Sequence, residues 1–124
     1  MDLTEILIGL TNTKKSPIVI CDTDYRIVFM NDWAKKEYAP YGGEALIGQS
    51  LLTHCGFEGR TKVEMVIEWF KENNDKDSLF CYHKDESNTD VYLVAIRNKD
   101  RELIGFTGIY ESRDPETIEG YVFD

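Results

Sequence analysis

Little in this chain of 124 residues points toward a membrane, a secretory route or a polyanionic partner. No stretch approaches the ~20 consecutive apolar residues that a membrane-spanning helix requires. Asp2 and Glu5 stand where a secretory leader would carry positive charge. Cysteine is scarce, with three residues, an odd number too small for a disulfide framework, so a reducing, cytoplasmic location is expected. Positive charge is also short. The 14 Lys and Arg against 23 Asp and Glu leave a net charge of −9, which opposes nucleic acid or an anionic membrane as the main partner. Catalytic signatures are missing: there is no Gly-rich phosphate loop, no Gly-x-Ser-x-Gly elbow and no His-x-x-x-His pair. Asp22 and Asp24 read as turn residues, and Glu64 with Glu68 as a solvated helix face, so no enzyme is expected. With no repeats or low-complexity linkers, the chain reads as one domain, able to bury roughly two-thirds of its unfolded surface.

What the sequence does contain is organised around residues 17–31. Two runs rich in Ile, Val, Phe and Met flank Asp22-Thr23-Asp24-Tyr25-Arg26, the pattern of an antiparallel hairpin opened by Pro17. Asn31 is predicted to cap a short helix over 32–38. Upstream, Leu3, Ile6, Leu7 and Leu10 recur at helical spacing over 2–11 with Asp2 and Glu5 as a capping pair. That stripe either docks on the domain's own core or forms a homodimer interface with its copy. Downstream, Pro40 and Gly42-Gly43 break the chain before a helical turn over 44–47, and residues 53–59 read as irregular. Thr61 and Glu64 read as a capping box opening a helix with the stripe Val63, Val66, Ile67 and Phe70. Strands are predicted over 78–83, 91–97 and 103–110. In the last, Gly105 and Gly108 permit close backbone approach or leave space. A polar tail over 111–124 carries Ile118, Tyr121, Val122 and Phe123 as anchors. The order helix, two strands, helices, three strands is an α+β layer with the helices on one face of an antiparallel sheet.

In these segments the chain resembles a PAS domain, over essentially its whole length. The likeness is carried by the hairpin with Asn31 and Ala34 in an Asn-x-x-Ala pattern, by Leu46-Ile47-Gly48-Gln49-Ser50-Leu51, and by residues 100–105 before the last strand. The resemblance implies a five-stranded antiparallel sheet in the order 2-1-5-4-3, a core over 17–110, and a small pocket beneath the sheet. From the family's strand alternation, Val19, Cys21, Val28, Met30, Val91, Leu93, Ala95, Gly105, Thr107 and Ile109 are expected on the inner face. Leu51, Val66 and Phe70 are expected to meet them from the helical side, and Ala95, Gly105 and Thr107 mark where a cavity would open. A filled core without ligand is the competing expectation.

Cofactor chemistries known in the family divide clearly on these residues. Ser50-Leu51-Leu52-Thr53 stands where flavin-binding LOV-type domains carry their reactive cysteine. Val63 stands about where one haem class has its histidine, whereas His54 lies near the ligand position of a second class and remains a possible axial ligand. A p-coumarate chromophore is excluded, because Cys55 is displaced and Met30 and Ala34 occupy the partner positions. His54-Cys55 and Cys81-x-His83 supply soft ligands, but neither pair has zinc-site spacing, so no metal is expected. The function implied is a sensory module that binds a small, mostly apolar ligand or a signalling protein and relays the event through dimer or partner contacts. With no kinase, cyclase or DNA-binding segment recognisable, the output is expected to pass to another chain or to self-association. A haem sensor using His54, or a ligand-free interaction module, are the alternatives.

Overall fold

The computed structural model describes residues 2–121. Its helices and strands follow in the order α1 (Leu3–Asn12), β1 (Val19–Asp22), β2 (Ile27–Met30), α2 (Asp32–Glu37), α3 (Phe57–Glu72), β3 (Ser78–Lys84), β4 (Thr89–Arg97) and β5 (Leu103–Ser112). The strands form one antiparallel sheet in the order β2-β1-β5-β4-β3, as the resemblance implied. Short 3-10 turns link α2 to α3. Of the expected tail anchors, Ile118 and Tyr121 are exposed, and Val122 and Phe123 lie outside the described residues. Among the described residues no helix is long and apolar enough to cross a membrane.

Local chemistry accounts for most element ends. The Asp22 carboxylate accepts from the Asp24 and Arg26 amides at 2.9 and 3.0 Å and closes the β1–β2 turn. Asn31 caps α2 by accepting from the Ala34 amide at 2.9 Å. The long helix begins one turn earlier than its Thr61–Glu64 capping box predicts, with Gly56 as N-cap. Inside α3 the Thr61 hydroxyl donates back to the Phe57 carbonyl at 3.0 Å, and Glu64 pairs instead with Arg60 at 3.0 Å. Both are ordinary i, i+4 helical contacts, and they draw part of the expected irregular segment into the helix.

The core lies between the sheet and α3. Ile67 and Phe70 of α3 are fully buried against Cys21, Ile27, Met30, Ala95 and Phe106. At the far end of α3, the Arg97 guanidinium donates to the Phe70 carbonyl at 2.7 Å and the Asn73 carbonyl at 3.2 Å, satisfying backbone acceptors that a helix C-terminus leaves open.

Two strands sit in a different phase from the one expected. A bulge in β1–β2 between Ile20 and Cys21 pairs Cys21 with Ile27, so Ile27 turns inward and Val28 is 50% exposed. On β5, Phe106 pairs with Cys21 and Ala95, Gly108 with Leu93, and Tyr110 with Val91. Residues directly opposite share a face, so Phe106, Gly108 and Tyr110 point inward, while Gly105, Thr107 and Ile109 occupy positions of the opposite phase. The strand sequence is apolar in both phases and does not decide between them. The deciding contact is at Gly105, where a Cβ would stand 2.6 Å from the Cys21 carbonyl oxygen. Only glycine admits that approach of β1 to β5.

Candidate functional site

Between the sheet and its helical cover lies a cavity of about 540 Å³. Val19, Cys21, Ile27, Met30, Leu93, Phe106 and Gly108 supply its apolar sheet wall, with Thr107 and Tyr110 alongside. Tyr38, Tyr41, Leu46, Leu51 and His54 close it from the segment between β2 and α3, and Pro17 completes one edge. Exposed Tyr41 and His54 form its rim. The volume and the mostly apolar lining are those of small-molecule sites in general.

Of the residues expected here, Val19, Cys21, Met30, Leu51, Leu93, Thr107 and His54 line the cavity. Val66, Phe70 and Ala95 do not: Phe70 and Ala95 are core, and Val66 packs against it. Ala95 leaves no hollow because Phe106, its cross-strand partner, fills the space beside it. The hollow opens instead at Gly108, opposite Leu93. Gly105 serves the close strand contact described above, and Ile109 lines a separate groove on the other face of the sheet, beside Tyr92 and Val94. Sequence reasoning missed Pro17, Ile27, Tyr38, Tyr41, Leu46, Phe106, Gly108 and Tyr110. Three of them, Phe106, Gly108 and Tyr110, lie on a strand that is apolar in both phases, so no local pattern singled them out.

Among the described residues the lining carries no Asp, Glu, Lys or Arg. Burial, reinforced by Asp22 and Cys55, pushes the Cys21 thiol up to about 12, so it stays protonated and a poor nucleophile at neutral pH. Burial, with Tyr38 and Tyr82 nearby, likewise pushes Tyr110 up to about 12. Tyr38 is raised by burial and then by Glu37, and its hydroxyl interacts with that of Tyr110. The Thr107 hydroxyl donates to the Val19 carbonyl at 2.7 Å. His54 Nε2 lies 3.0 Å from Gln49 Oε1.

The remaining soft ligands are dispersed. Cys55 donates to the Leu51 carbonyl at 3.4 Å, and Cys81 sits at a bulge of β3. His83 Nδ1 is 2.6 Å from Asp90 Oδ1, and Arg113 Nε holds the other Asp90 oxygen at 2.6 Å. No group of three or more His, Cys, Asp or Glu suited to a metal ion occurs among the described residues.

This geometry, an antiparallel sheet over a small cavity, agrees with the comparison of sequences: residues 15–112 match the family model described as PAS domain. The chain belongs to the PAS domain family. PAS domains are sensory and signalling modules, and that is the class of this one. The fold is shared with solved structures at low identity, a PAS domain among them. The C-terminal domain of a Streptococcus mutans protein superposes with a TM-score of 0.72 at 17% identity, over 88% of this chain and 84% of that one. The PAS domain of BvgS from Bordetella pertussis gives 0.60 at 16% identity, over 93% and 89%. A sensory box sensor histidine kinase from Vibrio cholerae gives 0.57 at 16% identity, over 87% and 90%. No curated protein sequence matches the chain.

Proposed function

We propose that this PAS domain binds a small, largely apolar molecule in the 540 Å³ cavity and reports its occupancy through α1 to a second copy of the chain. The observation that carries the reading is an apolar cavity whose wall is tied to an exposed helix. Met30 lines the cavity, and its neighbour Asn31 fastens the end of α1 and the segment that follows it: Asn31 Nδ2 donates to the Thr11 and Ser16 carbonyls at 3.0 and 3.1 Å. Asn12, the last residue of α1, accepts from the Asp32 amide at 2.8 Å. Leu3, Ile6, Leu7 and Leu10 are all exposed on α1, which supports self-association over docking on the domain's own core. A ligand that favours one arrangement of β2 and α2 then shifts the population of α1 arrangements.

The test is native mass spectrometry of the purified chain and of Gly108→Leu, which fills the cavity. A Cβ at Gly108 meets nothing nearer than the Tyr92 carbonyl oxygen at 3.9 Å, so the variant should fold. Wild type is expected to carry a small molecule that the variant lacks. A haem Soret band would replace this reading with the haem sensor through His54. A bare mass for both proteins, with no binding on reconstitution, would leave a protein-interaction module.

A further inference from the structure

The cavity also limits what kind of molecule can fill it. Among the described residues no Asp, Glu, Lys or Arg lines it. A ligand bearing a charge would therefore surrender its hydration without gaining a counter-ion, a penalty that selects against ionic ligands. The polar lining groups are mostly committed already: the Thr107 hydroxyl to the Val19 carbonyl, and His54 at the rim to Gln49. Lys84 lies over the Tyr110 ring, 5.2 Å from its centroid, and is outside the lining.

The Tyr38 and Tyr110 hydroxyls remain. Each is one donor and an acceptor. Both stand in the cavity lining, and any bond between them uses at most one O–H, which leaves at least one donor and spare lone pairs for a third partner. Burial keeps both protonated at neutral pH. We propose that the ligand is an uncharged, mainly apolar molecule with one hydrogen-bonding group (a hydroxyl, carbonyl or ring nitrogen) that joins the Tyr38–Tyr110 pair. This rests on the cavity being the ligand site, as argued above.

Four probes of matched shape test it: 2-methylnaphthalene, 2-naphthol, 2-naphthoate and 2-(aminomethyl)naphthalene, titrated into the full chain at pH 7 and followed by amide chemical shifts. The expected result is that 2-naphthol binds at least about tenfold more tightly than either ionic probe. In Tyr38→Phe with Tyr110→Phe, 2-naphthol should fall to the affinity of 2-methylnaphthalene, whose own binding stays unchanged and reports an intact fold. The single Phe variants serve if the double variant is unstable. Equal or tighter binding of an ionic probe, or 2-naphthol binding indifferent to the Phe changes, overturns the proposal and leaves the cavity reading standing. If none of the four moves the Cys21, Met30 or Gly108 resonances, the cavity reading itself fails, and this proposal with it.

Discussion

Asn31 does more per atom than any other side chain described. It is 1% exposed, and all its hydrogen-bonding capacity is used. Oδ1 accepts from the Ile18 and Ala34 amides, each at 2.9 Å, while Nδ2 donates to the Thr11 and Ser16 carbonyls. An apolar replacement strands four backbone groups, some of which water can reach after relaxation. Each buried group left unpaired costs about 1–3 kcal/mol, so Asn31→Ala should lower stability by about 2–4 kcal/mol in urea denaturation. Asn31→Asp keeps the acceptor but turns a carboxylate toward two carbonyl oxygens, and should not rescue the loss at pH 7. A loss below 1 kcal/mol for Asn31→Ala would mean the clasp is decorative and could not transmit strain to α1. The sequence marks this residue as a helix cap and, with Ala34, as part of the Asn-x-x-Ala pattern. Its second role, holding the segment before β1, depends on partners 15 and 20 positions away, which no local pattern reports.

At the scale of elements, β5 holds the lesson of register. Its two glycines are alike in sequence and opposite in use. At Gly105 a Cβ meets the Cys21 carbonyl oxygen at 2.6 Å, a backbone atom with no room to yield. Gly105→Ala must therefore push β1 and β5 apart, and overpacking of this kind costs about 1–3 kcal/mol. At Gly108 the same methyl stands 3.9 Å from the nearest backbone oxygen and enters the cavity, so Gly108→Ala should leave the midpoint of thermal unfolding nearly unchanged. Equal melting temperatures for the two variants would contradict the register. The element order, the sheet order and the inner positions of Val19, Cys21, Met30 and Leu93 were legible because each rests on a local pattern or on the family likeness. The inner residues of β5 and the start of α3 were not. Leu103–Ser112 is apolar in both phases, and Thr61–Glu64 fits a cap and a helix interior equally well. In both cases a tertiary contact or a neighbouring turn made the choice. The three cavity tyrosines were hidden for the same reason: Tyr38 and Tyr41 lie in the irregular cover, and Tyr110 in the strand whose phase was ambiguous.

For the molecule as a whole, the question is how an event under the sheet becomes visible outside it. α1 has no buried residue of its own, and a ten-residue helix without tertiary support is marginal in water. What the domain supplies is a fixed end, through Asn12 and Asn31, with an apolar stripe beyond it. Such a stripe gains most by meeting its own copy about a two-fold axis, because each residue then buries area twice. Leu7, at 52% exposure, sits mid-stripe. Leu7→Glu puts two carboxylates into that seam and should convert a dimer to a monomer in sedimentation equilibrium. It should leave the melting of the domain within about 0.5 kcal/mol of wild type, since surface changes away from packed features have small effects. A wild type already monomeric at high concentration, or a variant with unchanged mass, removes α1 as the interface. Should Leu7→Glu instead unfold the domain, the stripe is packed inward in solution, and the output surface must be sought on the outer groove beside Tyr92, Val94 and Ile109.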